Sequence, residues 1–348
     1  MACFHPLKGY VVGTLPSGKR DIKICSYESD HVELHTDGRW YVANTKDKSK
    51  YTVKVVRDYI IIPCGKCVGC RLAYSRQWAD RCMLESSYHT HSYFLTLTYD
   101  DDNLPLSESI NQDTGEINYN ATLVKKDIQD FIKRLRRFCE YNIDDNLHIK
   151  YFCAGEYGSQ TFRPHYHMIL YGFPINDLKL YKMSLDGYNY YNSATIDKLW
   201  KKGFVVIGEV TWDTCAYTAR YILKKQYGSG AQIYKDYNIL PEFTCMSTKP
   251  AIAREYYEDN KDKIFDSDYI FLGTKEKSIQ MKPPKYFEKL LEKENEDVFK
   301  ERRDLHASLA EDFSCLRNLS TSHDYLGMLQ MEEDNLNARI KTLKRKEF

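Results

Sequence analysis

An α+β chain is predicted from three features of the sequence. Short apolar runs of strand length, bounded by Gly, Asp, Asn and Ser, recur from the amino terminus to about residue 210. Amphipathic stretches with helical spacing stand between the later runs. Beyond about residue 255 the pattern turns helical and strongly charged. The 348 residues suffice for two or three domains, and the changes of pattern divide them at 1–90, 91–255 and 256–348. A 43% hydrophobic content with 29 tyrosines fits a soluble globular protein with ample stacking surface. The net charge of +1 removes any bulk electrostatic argument for nucleic acid, so local clusters must carry one. No apolar run approaches the ~20 residues that span a bilayer, and the start lacks the form of a signal peptide. A cytoplasmic protein with no membrane partner is therefore expected. In a reducing compartment its 11 cysteines read as metal ligands or buried thiols rather than disulfides.

In the amino-terminal third, strands are expected at 10–12, 23–25, 40–42, 52–56 and 59–62, with pairing that the sequence does not dictate. Pro63 then opens a run in which Cys64, Cys67 and Cys70 recur every third residue, with Gly65 and Gly69 permitting tight turns. A closed zinc site needs four tetrahedral ligands and the run offers three. Cys3 is the candidate fourth ligand, with Cys82 and His5 as competitors. An iron–sulfur cluster also accepts such spacing, although the ferredoxin-type Cys-Pro is missing. Residues 71–88 form a helix with Leu72, Trp78, Cys82 and Leu84 inward. Its arginines, Arg71, Arg76 and Arg81, suit either a phosphate backbone or a solvated face paired with Asp80 and Glu85.

In the middle third, residues 93–99 alternate as a half-solvated strand, and Asp100, Asp101 and Asp102 end it as a turn. Residues 125–141 form an amphipathic helix with Ile128, Phe131, Ile132, Leu135 and Phe138 on one stripe. Lys125, Lys126, Lys133, Arg134, Arg136 and Arg137 crowd elsewhere, fit for DNA backbone contact or for a soluble helix face. Residues 148–158 give a strand carrying Glu156, and 162–170 give another carrying His165 and His167. On a strand these two imidazoles project together, whereas on a helix they would stand about 200° apart. Pro164 argues against helix, and Gly172 closes the strand. With Glu156 beside them, the histidines make a two-imidazole, one-carboxylate set with open positions, which suits Mg²⁺ or Mn²⁺ bridging to phosphate.

Residues 179–191 are Tyr-rich, either a base-stacking loop or an insertion. A short helix over 194–202 stops at Gly203, and 204–210 is a buried strand. Asp213 or Thr214 can cap a helix over 215–225 with Gly228 as its stop. Tyr217 and Tyr221 share one face of it, with Lys224 and Lys225 adjoining. An i, i+4 tyrosine pair alone reads as a packed stripe. Two long polar helices, 285–303 and 328–346, complete the chain with no sustained heptad and no helicase-type phosphate loop.

The order Leu95-Thr96-Leu97-Thr98-Tyr99, then Arg163-Pro164-His165-Tyr166-His167, then Tyr217-x3-Tyr221-x2-Lys224 resembles the HUH endonucleases of rolling-circle replication. Within them the chain is similar to the replication initiation proteins of Microviridae, the gokushovirus branch in particular, over roughly residues 1–260. The Cys64–Cys70 run, Gly155-Glu156-Tyr157-Gly158 and Glu242-Phe243-Thr244-Cys245-Met246-Ser247 add to the likeness. The stretch 249–253 departs from it, with Ala251 and Ala253 where glycines are expected.

The resemblance implies a central antiparallel sheet with flanking helices (an HUH/RRM-like nuclease core), a Cys-rich zinc-binding region before it and a helical tail after it. It implies that His165, His167 and Glu156 hold the catalytic cation and that Cys3, Cys64, Cys67 and Cys70 hold a structural Zn²⁺. Tyr217 or Tyr221 would attack the DNA with help from Lys224, leaving a 5′-phosphotyrosine and a free 3′-hydroxyl primer. Arg71, Lys133, Arg136, Arg137, Arg163, Arg220 and Lys225 are the expected DNA contacts. The implied partners are a single-stranded or supercoiled origin, a host helicase and a host DNA polymerase. Two rivals stand beside this reading: a non-catalytic zinc-containing nucleic-acid-binding protein, and a phosphoesterase that uses metal-bound water.

Overall fold

The computed structural model describes residues 3–43, 45, 51–111, 114–143, 147–184, 187–220, 225, 228–273 and 278–342. Contacts divide the chain into two compact units, Met1–Ala73 with Leu309–Glu347, and Tyr74–Ser308.

The first unit is built on six short strands, β1 (Leu7–Thr14), β2 (Arg20–Ser26), β3 (Val32–His35), β4 (Trp40–Val42), β5 (Thr52–Val56) and β6 (Tyr59–Ile62). They pair antiparallel as two three-stranded sheets, β2-β1-β6 and β4-β3-β5. Tyr10, Cys25 and Val32 are buried together between strands too short to bury much more. Five of the six match expected strands; β3 is the addition, a short Val-Glu-Leu-His run that only its partners identify as a strand.

The remaining elements follow in chain order. They are α1 (Val68–Ser86), β7 (Ser92–Thr98), β8 (Leu106–Ile110), β9 (Ile117–Ala121), α2 (Lys125–Asn142), β10 (Lys150–Tyr157), β11 (Pro164–Tyr171), β12 (Lys179–Met183) and β13 (Asn189–Asn192). Next come α3 (Ala194–Trp200), β14 (Val205–Glu209), α4 (Trp212–Arg220), α5 (Gln232–Asp236), β15 (Phe243–Met246), α6 (Arg254–Ile264), β16 (Ile270–Gly273) and β17 (Ser278–Met281). The helices α7 (Lys285–Glu294), α8 (Glu296–Leu319) and α9 (Tyr325–Thr342) complete the order.

Seven strands form one antiparallel sheet in the order β12-β13-β14-β7-β11-β10-β15. Because side chains alternate across a strand, its two faces are covered by different helices. On one face Leu95, Leu97, Tyr166, Met168 and Leu170 meet Ile128, Phe131, Ile132 and Leu135 of α2 and Ile196 and Trp200 of α3. On the other, Phe152, Ile169 and Tyr171 meet Trp78, Ala79, Cys82 and Met83 of α1 and Cys215, Ala216 and Ala219 of α4. Trp78 stacks on Phe152 with ring centroids 4.9 Å apart. The candidate site lies on this second face, beside α4.

Several local expectations are corrected. Lys179–Met183 and Asn189–Asn192, expected in a loop or an insertion, are the paired strands β12 and β13 that extend the sheet edge. The helix over 194–200 ends at Lys201 in a left-handed conformation (φ 62°) rather than at Gly203. Gly203 instead holds φ 148° where a Cβ would lie 2.5 Å from the backbone N of Asp100, a close approach that only glycine permits. The start of α4 is closed by Thr211, not Asp213 or Thr214: Thr211 Oγ1 accepts from Thr214 N (3.1 Å) while Thr214 Oγ1 accepts from Thr211 N (2.8 Å). The expected helix over 285–303 is broken at Asn295, whose side chain caps α8 by accepting from Val298 N. The β8–β9 and β16–β17 pairs are additions, strands of four or five residues each, too short for a clear alternation.

The departure at 249–253 has a packing role. Ala253 adopts φ 64°, the region that favours glycine, and its N–H donates to Glu85 Oε2 at 2.6 Å. Arg81 donates to the carbonyl of Ile252 and lies against the rings of Trp78 and Tyr286, so this arginine is committed inside the protein and is not a phosphate contact. Glu85 also accepts from Lys150 Nζ (2.8 Å) and contacts His89 Nε2 (2.7 Å) while almost wholly buried. Burial pushes its carboxyl up, but His89, Lys150 and the Ala253 N–H outweigh burial and hold it below the usual range. Its contribution to stability is therefore complete above about pH 4.5 and lost as the pH falls towards the lowered folded value. Glu85→Gln should destabilise the protein at pH 7 by about 3–5 kcal/mol in chemical denaturation, with the gap to the parent narrowing below about pH 4.5. An equal gap at pH 7 and pH 3 would contradict this assignment.

Candidate metal centres and the tyrosine beside one of them

The antiparallel register of β10, β11 and β7 assembles the first centre. Glu156 lies opposite His165, which lies opposite Thr98, while Ala154, His167 and Thr96 form the neighbouring rung. All six side chains share one face. Glu156 Oε1 lies 2.6 Å from His165 Nε2 and 3.1 Å from His167 Nε2. Second partners fix the rings. His165 Nδ1 is 3.2 Å from the carbonyl of Arg163, which can only accept, so that nitrogen donates to it and Nε2 is left facing the carboxylate. His167 Nδ1 is 3.2 Å from Thr96 Oγ1, a hydroxyl that can donate or accept. The three inward atoms lie close enough together to share one cation.

Burial is graded in a useful way. Glu156 and the His167 side chain are almost fully enclosed, whereas the His165 side chain is 20% exposed, so the group opens on one side. Burial pushes the Glu156 carboxyl up, but hydrogen bonds and charge from His165 and His167 outweigh it and hold the group well below the usual carboxylate range. The carboxylate is thus ionised and ready as a ligand. Its donor set, one oxygen and two nitrogens with positions left open, fits a divalent cation of the Mg²⁺, Mn²⁺ or Fe²⁺ kind.

Tyr217 lies beside this group. In α4, Cys215, Ala216 and Ala219 are buried against the sheet, which leaves Tyr217 half-buried at the helix edge. Its ring stands edge-on to His167, centroids 5.1 Å apart, and edge-on to Phe94 at 6.1 Å. Phe94 stacks flat against His167 at 5.6 Å, so the imidazole is wedged between two aromatic rings. Sequence reasoning misses Phe94 and Thr96 as site residues. Their alternation in β7 is the available signal, since residues two apart on that strand have to face the histidines of its neighbour.

The second centre lies in the first unit. The four Sγ atoms of Cys3, Cys64, Cys67 and Cys70 lie within 4.8 Å of one another. Gly65, at φ 72°, turns the chain so that backbone N–H groups point at sulfur. Cys64 N donates to Cys3 Sγ (3.2 Å), Cys67 N to Cys64 Sγ (3.3 Å), and Phe4 N and Cys70 N to Cys67 Sγ (3.4 and 3.5 Å). Burial pushes the Cys67 thiol up, but the N–H groups of Cys70 and Phe4 outweigh it and bring it down to about 7. Four soft sulfur donors in a closed cluster fit Zn²⁺ or iron. The competitors for the fourth place are elsewhere: His5 pairs with Glu333 at 2.8 Å, and Cys82 is buried in the core beneath α1.

The remaining expected site residues are placed as follows. Tyr221 and Lys224 lie outside the described residues. Arg220 is exposed at the end of α4 and Lys225 is half-buried. Arg163 is half-exposed and tied to Asp101 (2.6 Å) and to the carbonyl of Tyr99 (3.0 Å). Lys133, Arg136 and Arg137 are exposed on α2, which covers the face of the sheet opposite the imidazoles, and the structure does not bring them to the Glu156 group. Arg134 is used internally, donating to the carbonyls of Leu199 and Trp200. Arg71 is half-buried in the first turn of α1, next to Cys70. Among the described residues no helix is long and apolar enough to cross a membrane.

Known proteins can be set beside this geometry. The family model for the replication-associated protein ORF2 matches residues 92–226, which include Glu156, His165, His167 and Tyr217. The replication-associated protein ORF2 of Spiroplasma virus 4 is 33% identical over 355 residues, covering 99% of this chain and 98% of its own. The replication-associated protein VP4 of Bdellovibrio phage phiMH2K is 31% identical over 241 residues, 69% of this chain and 70% of its own. The replication-associated protein ORF4 of Chlamydia phage 1 is 33% identical over 169 residues, 47% of this chain and 38% of its own. No solved structure matches with significance. A likeness that runs nearly end to end with one of these relatives, joined to the family match over the strands and helix that build the Glu156 group, settles the kinship: the chain belongs to the replication-associated protein ORF2 family, together with replication proteins of Spiroplasma, Bdellovibrio and Chlamydia phages.

Proposed function

We propose that this protein initiates rolling-circle replication by cutting one DNA strand with a tyrosine nucleophile and later rejoining the displaced strand. The observation that carries the reading is the position of Tyr217, packed 5.1 Å from the ring of His167, which shares a carboxylate with His165. A phenol beside a divalent-cation cradle is the pairing that phosphoryl transfer to tyrosine requires. A Mg²⁺ or Mn²⁺ ion held by Glu156, His165 and His167 would supply a Lewis acid that neutralises charge building on the scissile phosphate.

The chain's own groups do the rest. Glu156, ionised and buried, fixes the two imidazoles; Thr96 and the carbonyl of Arg163 hold the rings from behind. Phe94 and Tyr217 hold His167 in place and exclude water from one side of it. Tyr217 oxygen attacks phosphorus after giving up its proton, a bond forms to the phenol oxygen, and the bond to the 3′ oxygen breaks. That oxygen takes up a proton and leaves as a 3′-hydroxyl, a primer for a host DNA polymerase. The 5′-phosphate stays on the tyrosine, so the energy of the broken ester is kept for rejoining. An ordinary phenol has a pKa of about 10, and Arg220, Lys224 and Lys225 are the cations in sequence reach that favour its ionised form. Tyr221, four residues further along the sequence, is the natural second nucleophile for the rejoining cut. Unwinding falls to a host helicase.

With Mn²⁺ and origin-bearing single-stranded DNA, the parent chain should form a protein–DNA adduct that survives denaturation. His167→Ala, or Tyr217→Phe with Tyr221→Phe, should lower its formation by at least about a thousandfold. Cleavage without an adduct would favour the metal–water phosphoesterase, and binding without cleavage the non-catalytic protein. We assign the Cys3, Cys64, Cys67 and Cys70 cluster to a structural Zn²⁺. Purified protein should carry one zinc per chain, and Cys67→Ser should lose it together with thermal stability. Unchanged zinc content in that variant would refute the assignment.

A further inference from the structure

The rung that carries Glu156 and His165 does not stop at Thr98. The pairing of β14 with β7 continues to Phe204: Thr98 N and Thr98 Oγ1 both donate to the carbonyl of Phe204, at 3.1 and 2.7 Å. Val205 next to it points into the opposite core, so Phe204 stands on the face of the imidazoles. Two strand spacings, roughly 10 Å, separate it from His165 along the sheet. Phe204 is 39% exposed, and against it leans Tyr181, itself 52% exposed, with ring centroids 5.2 Å apart. Tyr181 reaches that position because the β12–β13 pairing slips between Leu180 and Lys182, a bulge that turns an edge side chain out of its regular place.

The surroundings select the occupant. Lys179 and Lys182 are exposed on β12 beside Tyr181, and Lys182 Nζ lies 5.3 Å from the ring of Tyr190. Asp101, an acidic group on the turn after β7, is neutralised by Arg163. Two exposed rings beside the lysines of β12, level with a phosphate-directed metal site, match the chemistry of a single strand whose bases are free to stack. We propose that Tyr181 and Phe204 form an aromatic ledge that stacks an unpaired base flanking the scissile phosphate. The inference rests on the nicking reading for its register and on its own residues for the ledge. Stacking on the ledge sets which phosphate of a single strand reaches Tyr217, so Phe204 and Tyr181 are positioning residues and not catalytic ones.

The test separates binding from chemistry. Tyr217→Phe protein in EDTA is titrated with a fluorescein-labelled oligothymidylate, and Phe204→Leu and Tyr181→Leu are compared with Phe204→Tyr and Tyr181→Phe. Each leucine should weaken binding roughly 5- to 150-fold while the aromatic replacements stay within about twofold of the parent. The leucine variants should leave the salt dependence unchanged, whereas Lys182→Ala should lower its slope by roughly one. Equal affinity of Phe204→Leu and Phe204→Tyr, with unchanged circular dichroism, would overturn the ledge even if the adduct forms. Loss of the adduct in the parent chain would overturn the nicking reading and leave the binding result standing.

Discussion

One carboxylate oxygen within hydrogen-bonding distance of two imidazole nitrogens is the constraint on which this structure turns. The backs of both rings are already committed, to a carbonyl and to a hydroxyl, so the inward nitrogens are left facing the carboxylate. Such an arrangement, almost fully enclosed, is held together only by positive charge. Strand register produces it: an antiparallel pair places residue 156 opposite 165, and the period of two then brings 167 to the same face. A one-residue slip would turn the two imidazoles into the opposite core and Tyr166 and Met168 out of it.

The rest of the sheet follows from protecting that register. Leu95, Leu97, Met168 and Leu170 are pinned beneath α2 and α3, and Phe152, Ile169 and Tyr171 beneath α1 and α4, so neither face can slide. Buried polar groups reinforce this from behind. Tyr166 OH meets Tyr99 OH (2.9 Å) and the backbone N of Val124 (2.8 Å), and Trp200 donates to the carbonyl of Thr98 at 2.7 Å. The lock on Thr98 bears directly on the site, because Thr98 shares a rung with His165. Helix α4, closed at its start by Thr211, sets Tyr217 against His167 and Phe94.

What the sequence reveals has a physical pattern. The His165 and His167 pair is legible because alternation is local and needs no partner, and Pro164 excludes the competing helix. Glu156 is legible because a short connection forces adjacent strands together. Cys3 can be named because the cysteine run lacks one ligand. Phe94, Thr96 and Phe204 are not legible as site residues, since their roles come from pairing between strands far apart in the chain, which the order of strands alone does not encode. The β12–β13 hairpin escapes notice because its outward side chains are aromatic and apolar where a solvated strand would carry polar ones. Lys133, Arg136 and Arg137 show the converse limit: a cluster of cations in sequence does not say which face of the sheet its helix covers, here the one opposite the imidazoles.

The central claim is that Glu156, His165 and His167 together hold a divalent cation facing Tyr217. Pulsed electron paramagnetic resonance of the protein loaded with one equivalent of Mn²⁺ reads this directly, because ligated imidazoles modulate the echo through their nitrogens. Two coupled imidazole nitrogens in the parent chain, falling to one in His165→Ala, is the predicted result. A Mn²⁺ signal with water and carboxylate couplings but no imidazole nitrogen would contradict the account.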